Sequence, residues 1–293
     1  MQSKKRMLDI GHTRICNCQK NHINCLTAKE WIRAQVAIQE FYYEGRNIRD
    51  KNIHPAVFPI NLPKHFIKLF TLEGELILAS FANIDTFLMA VRGLNRNAVG
   101  FDLKKEYIDF ASNRLNKTSL GTTQQILIND DALNIPNYLE EKSVFLSITS
   151  PPHANMPNHP RKNKSIRGDK RNNEHFETIQ QYSADPRDLG IMKPEGHSDS
   201  LTKIYKGIYP LVKKKGHLVI NVNDVWENNK RYTTHVYVMH AIEKACFEFR
   251  NTIIWDKRKP MNNAGIFGWS SNCIALGTTM EFIMDFLKMG VNS

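Results

Sequence analysis

From Glu75 onward the chain alternates two hydrophobic rhythms. Short apolar runs, "ELILASF" (75–81), "NAVGFD" (97–102), "QQILIN" (124–129) and "SVFLSIT" (143–149), predict buried strands. Between them, "DTFLMAVRGL" (85–94) and "EYIDFASNRL" (106–115) repeat apolar positions at helical spacing. Downstream come a helical pattern at 200–212, a strand "GHLVINV" (216–222), a helix at 234–245, and two late runs, "FEFRNTIIWD" (247–256) and "TTMEFIMDF" (278–286). Strands separated by helix-length segments pair in parallel through right-handed crossovers, so the pattern predicts an open, doubly wound α/β sheet. Upstream, "TAKEWIRAQVAIQEFYYEG" (27–45) opens on a capping box, Thr27 with Glu30. Trp31, Ile38, Phe41 and Tyr42 follow at helical spacing, which predicts one helix closing before Gly45. Only 151–198 forms a long irregular stretch, and long loops at strand ends carry function.

In such sheets a ligand sits beyond the carboxyl ends of the central strands. Four segments converge there. The first strand ends in "ASFANIDT" (79–86), and the second places Asp102 where a carboxylate takes the two hydroxyls of a ribose. The third is followed by "NDDA", with Asp131 able to accept from an adenine amino group. The fourth runs into "TSPPH", where Ser150, Pro151 and Pro152 form a stiff corner whose carbonyls have no ladder to join.

Charge narrows the partners. The 293 residues hold 40 Lys and Arg against 29 acids, a formal net charge of +11. The excess concentrates in "PRKNKSIRGDKR" (160–171), where Arg161, Lys162, Lys164, Arg167, Lys170 and Arg171 face one acid. With no amphipathic apolar face in that segment, a nucleic acid is the expected polyanion rather than a membrane. The start is polar and no apolar run is long enough to span a bilayer, so the reading is a cytoplasmic protein. Five cysteines, an odd number, do not form a disulfide framework. His12, Cys16, Cys18, His22 and Cys25 have zinc-ligand chemistry, but a C-x-C pair is tighter than a standard finger, and no metal is assigned. Cys246 and Cys273 lie in apolar runs and read as core.

The "TSPPH" segment resembles the Ser/Asp/Asn-Pro-Pro-aromatic motif of DNA amino-methyltransferases, and the accompanying segments resemble the cytosine-N4 branch. These are "HPAVFPINLPKHFIKLFTLEGELIL" (54–78), "GLNRNAVGFDLKKEYIDFASNRL" (93–115), "QYSADPRDLG" (181–190), "HLVINVNDVW", "IIWDKR" and "GTTMEFIMDF", in the family's order. The resemblance covers nearly the whole chain. It implies a Rossmann-like fold with a mostly parallel seven-stranded sheet, S-adenosylmethionine as cofactor, and double-stranded DNA with a flipped target base as substrate. It also implies an N-terminal extension over 1–50 and a methyltransferase domain over 51–293, with a DNA-facing loop at 153–198. Carried over residue by residue, the cofactor falls to Phe58, Phe81, Asn83, Asp85, Thr86, Asp102 and Asp131, and the target base to Ser150, Pro151, Pro152 and His153. Ser150 and the Pro151 carbonyl accept from the amino group, and His153 stacks on the base.

The chain departs from that pattern at the chemistry. The family's Asp-Pro-Phe segment with two glycines is replaced by Ala79, Ser80, Phe81, Ala82, Asn83, Ile84, Asp85 and Thr86. Asn tolerates the left-handed region, so Asn83 can keep the turn, while Asp85 adds a carboxylate near the cofactor. His153 stands for the usual Tyr, and "IFGWSSN" (266–272) lacks an expected proline. These departures leave a cytosine-N4 methyltransferase beside two alternatives, a non-catalytic DNA-binding or partner subunit and an adenine-N6 enzyme. RNA is the less expected substrate.

Overall fold

The structure, a computed structural model, describes residues 6–18, 22–44, 57–84, 86–116, 122–154, 185–227, 230–259, 268–269, 273–274 and 279–290. In chain order the sheet strands are β1 (Ile38–Gln39), β2 (Leu76–Ala79), β3 (Asn97–Asp102), β4 (Gln125–Asn129), β5 (Val144–Thr149), β6 (Val212–Val222), β7 (Glu248–Asp256) and β8 (Met280–Leu287). The helices are α1 (Ala28–Ala34), α2 (Asn61–Phe70), α3 (Thr86–Arg92), α4 (Lys105–Asn116), α5 (Pro194–Ile208) and α6 (Thr234–Glu243). The strands form one sheet in the order β1-β7-β8-β6-β5-β2-β3-β4. Strands β4, β3, β2, β5 and β6 pair in parallel, while β8 runs antiparallel between β6 and β7. The expected α/β fold is present, with an eighth short strand at the edge in addition to the seven.

Alternation along the central strands explains the layers. Leu76, Leu78, Val99 and Phe101 face α5 and α6, packing with Leu201, Ile204, Tyr205, Val238 and Ile242. Their neighbours Ile77, Ala79 and Ala98 face the other side, packing with Leu62, Phe66 and Ile67 of α2 and Phe87, Leu88 and Val91 of α3. A strand buried on both faces reads as a continuous apolar run, which is why the pattern predicts β3 residue for residue. From β4 the chain returns to place β5 on the other side of β2, so the order reverses between β2 and β5. That reversal is where a crevice opens at the strands' carboxyl ends.

Two sequence expectations need correction. The helix expected through 27–44 ends at Ala34; its capping box forms, but the helix buries no side chain. Beyond it Ile38 and Gln39 pair with Ile254 and Trp255 of β7, and Phe41 packs against Trp255, whose indole N–H donates to the Phe41 carbonyl at 3.2 Å. Phe41 is thereby buried by tertiary contact instead of a helix face, while Ile38 and Tyr42 stay exposed. Cys246 is exposed rather than core, at φ 73 in the turn after α6, and the Cys273 side chain lies outside the described residues. Residues before β1 are tied to the sheet domain: the Leu8 N–H donates to the Tyr138 carbonyl at 2.9 Å, and Ile10 joins the core. Among the described residues no helix is long and apolar enough to cross a membrane.

Candidate functional site

At the reversal lies a cleft of about 730 Å³ measured to its open mouth. Each central strand contributes its end: Ser80, Phe81 and Asn83 after β2, Asp102 to Lys104 after β3, Asp130 and Asp131 after β4, and Ser150 to His153 after β5. Tyr107 of α4, Ile204 of α5 and the segment Arg187 to Leu189 complete the lining.

The β2 loop is shaped by backbone constraints. Asn83 sits at φ 52, the left-handed turn that the absent glycines would otherwise supply. Its N–H donates to one Asp102 oxygen and the Lys104 N–H to the other, both at 2.9 Å. The loop also lies hard against β3, with the Ala82 N–H donating to the Phe101 carbonyl at 2.7 Å. A side chain at Gly100 would bring its Cβ within 2.8 Å of the Ala82 Cβ, so glycine is required there for close approach. Burial raises the Asp102 carboxyl to about 6, with nearby Asp188 adding to the rise and the two N–H donors opposing it. Each oxygen bound by one N–H retains acceptor capacity.

The other acids are held by neighbouring groups. Asp131 accepts from the Leu133 N–H at 2.9 Å, capping the short 3-10 turn Ala132–Asn137. Asp130 accepts from the Tyr138 hydroxyl at 2.7 Å and from Asn134 at 2.8 Å. Burial pushes the Asp130 carboxyl up, but these hydrogen bonds outweigh it and hold the group below its ordinary value. Asp188 caps another single turn through the Gly190 N–H at 2.7 Å.

The opposite wall is the proline corner. Thr149, at the end of β5, donates to the Phe81 carbonyl at 3.3 Å, joining the corner to the β2 loop. His197 of α5 donates from Nε2 to the Pro152 carbonyl at 2.7 Å. Burial lowers the His197 pKa, which favours the neutral imidazole as a donor near pH 7. One helical stretch further on, the buried Tyr205 hydroxyl meets Ser80 Oγ at 3.1 Å.

Of the expected site residues, Phe81, Asn83, Asp102, Asp131, Ser150, Pro151, Pro152 and His153 line this one cleft. Phe58 packs, half buried, against the core on the α2 side, and Thr86 is buried at the start of α3; neither lines the cleft. Asp85 and the basic group Arg161, Lys162, Lys164, Arg167, Lys170 and Arg171 lie outside the described residues. Sequence reading missed Ser80, Lys104, Tyr107, Asp130, Arg187 and Asp188 as lining residues. Arg187 and Asp188 had a signal, because they stand within the quoted "ADPRDLG" segment.

Comparison with known proteins gives this geometry a context. Residues 4–113 match the family model of the N6/N4 DNA methylases. Over that stretch the chain is similar to DNA methylases. Among curated proteins it is similar to the type II methyltransferase M.HindIII of Haemophilus influenzae, 39% identical over 66 residues, 22% of this chain and 21% of that protein. It is also similar to M.BglI of Bacillus subtilis, 32% identical over 89 residues, 30% of this chain and 25% of that one. These alignments span about a quarter of the curated relatives' length or less. Among solved structures, TrmN of Thermus thermophilus superposes with a TM-score of 0.50 at 11% identity, covering 83% of this chain and 53% of that one. That likeness is one of fold. The family match spans β2, β3 and their helices, and the proline corner at Ser150 lies beyond it.

Proposed function

We propose that the chain is an S-adenosylmethionine-dependent DNA methyltransferase of the restriction-modification type, acting on the N4 amino group of cytosine. The observation that carries this reading is the single cleft that sets an acid-lined wall, suited to a nucleoside, beside the Ser150-Pro151-Pro152-His153 corner. The wall fits the cofactor: Asp102 offers carboxylate oxygens to a ribose diol, Asp131 an acceptor to an adenine amino group, and Phe81 an apolar contact. When bound, the cofactor supplies an electrophilic methyl group.

The chain's own residues do the rest. An aromatic amine has its lone pair delocalised into the ring, so the nitrogen must pyramidalise to react. Ser150 Oγ and the Pro151 carbonyl hold the amino hydrogens and orient that nitrogen. His153 stacks on the flipped base, with less area than Tyr would give. His197 fixes the corner through the Pro152 carbonyl, and the proline rings keep it stiff. Arg161, Lys162, Lys164, Arg167, Lys170 and Arg171 neutralise DNA phosphates, which gives affinity without sequence choice.

The test is a calorimetric titration with S-adenosylmethionine, followed by transfer of labelled methyl to duplex DNA and separation of the product nucleosides. Micromolar binding with N4-methylcytosine as product is the expected result. N6-methyladenine would overturn the choice of base. Binding of DNA without cofactor binding or transfer would overturn the enzymatic reading in favour of a non-catalytic subunit. Asn83→Gly with Asp85→Gly separates these cases, because cofactor binding regained only in that variant locates the defect in the β2 loop.

A further inference from the structure

At the opposite end of the sheet from the cleft, the segment before α1 brings three cysteines together. The Sγ atoms of Cys16, Cys18 and Cys25 all lie within 4.8 Å of one another, and those of Cys16 and Cys25 are 3.4 Å apart. All three are free thiols, and all are half buried. A tetrahedral ion with metal–sulfur bonds of about 2.3 Å needs sulfurs about 3.8 Å apart, which falls inside this spread. We propose that Cys16, Cys18 and Cys25 form a structural zinc site that clasps the N-terminal segment to the domain.

The backbone is built around the thiols. His22–Ile23 and Leu26–Thr27 pair antiparallel across a two-residue turn, Asn24 and Cys25, at φ 49 and 66. Such a turn needs left-handed backbone at both central positions and favours Asn followed by Gly. Cysteine replaces that glycine at a conformational cost, and in return its sulfur swings back onto the C-x-C pair. This turn is what the linear spacing hid, since the third ligand arrives through a hairpin and not through a finger loop.

The surroundings suit a thiolate at Cys16. Arg14 Nε donates to Cys16 Sγ at 3.2 Å and to the Cys16 carbonyl at 2.9 Å, placing a permanent positive charge beside a site that carries net negative charge when metal-bound. A partner of this kind orients metal-bound sulfur. Soft thiolates in a compact tetrahedral set select zinc over hard cations. Three protein ligands leave one position for water or a further side chain.

The clasp holds the turn that leads into β2. The Ile15 N–H donates to the Glu73 carbonyl at 2.9 Å, and Asn24 donates to the Leu69 carbonyl. At Gly74, φ +88, a Cβ would lie 2.4 Å from the Thr13 carbonyl oxygen, so the two segments are in direct contact. The site therefore stabilises the N-terminal segment and takes no part in the cleft.

The test uses the full chain, its metal content measured by mass spectrometry, with Cys16→Ser, Cys18→Ser and Cys25→Ser beside Cys246→Ser as the control. The expected result is one zinc per chain, retained in C246S and reduced at least tenfold in each of the other three. Chelation should lower the wild-type Tm and speed amide hydrogen exchange in residues 6–44, leaving C18S unaffected. Should the serine variants fail to fold, wild type alone decides: cobalt(II) added to the chelated protein must give intense thiolate charge-transfer absorption. Protein that purifies without zinc and gives no such absorption, or a disulfide joining two of the three cysteines in the native chain, would overturn the proposal.

Discussion

The two walls of the cleft are held by different means. On the β3 and β4 side, Asp102 and Asp131 are fixed by backbone N–H groups from positions close in sequence or on the adjoining loop. On the β5 side the corner is stiffened by its prolines and braced by His197, a residue 45 positions away. The first wall is preformed wherever β2 to β4 fold, whereas the second depends on α5 docking. The difference teaches that ligand holding and base positioning can be broken separately.

Ser150→Ala makes the largest separation. Loss of an acceptor that orients the reacting amine should lower methyl transfer by about 10²-fold or more, while calorimetric affinity for S-adenosylmethionine stays within about twofold. Asp102→Ala should do the reverse. Removing a charged acceptor of two hydroxyls costs about 1.5–3 kcal/mol, so affinity should fall roughly 10- to 100-fold. A matched loss of both properties in either variant would collapse the two walls into one.

The acid wall carries its own pH signature. The Asp102 carboxyl, raised to about 6 by burial, is protonated in the folded chain at pH values where an unfolded Asp has ionised. Its contribution to ligand-free stability is therefore greatest below pH ~4 and is lost as pH rises towards 6. Cofactor binding runs oppositely, because the carboxylate is the better acceptor. Affinity should rise between pH 5 and 7, by up to about tenfold per unit below 6, and level off above it. Asp102→Asn should flatten that profile; a profile unchanged in Asp102→Asn would remove Asp102 from the ribose contact.

How much of this was legible depended on distance along the chain. Buried strands such as Asn97–Asp102 announce themselves through continuous apolar runs, and the carboxylates at their ends follow from the fold rule. Asn83 was readable because few other residues accept a φ of 52. Ile38 and Phe41 misled because their spacing matches a helix, while Ile38 sits exposed on a strand paired with β7 and Phe41 is buried against Trp255, more than 200 residues on. His197 and Tyr205 gave no signal at all, since a histidine and a tyrosine in a helix look like ordinary core positions until α5 is docked. The cysteine cluster was visible as residues but not as a site, because a left-handed turn does the gathering.

Smaller effects probe the brace. His197→Phe removes the donor to the Pro152 carbonyl while keeping a flat ring in the buried space. A carbonyl losing one buried hydrogen bond costs about 1–3 kcal/mol, so the Tm should drop by several degrees. Transfer should fall more than cofactor affinity, and raising imidazole in the buffer should not restore it, because His197 is buried and acts only by position. Equal losses in both assays would mean that α5 supports the whole cleft and not the corner alone.

Tyr205→Phe should give the smallest change and the sharpest test of whether the walls are independent. The Tyr205 hydroxyl meets Ser80 at the end of β2, so α5 touches the acid wall's loop as well as the corner. Loss of that one hydroxyl should cost about 1 kcal/mol and lower cofactor affinity and transfer together by no more than a few-fold. Eight helical positions separate Tyr205 from His197, roughly 12 Å along the axis, a distance at which independent sites add to within about 0.5 kcal/mol. The double variant should therefore show the sum of the single effects on stability, because each hydrogen bond anchors a different wall. A coupling above about 1 kcal/mol would show that α5 shifts as a rigid unit when either contact is lost, and the distinction between a self-supporting wall and a braced one would fail.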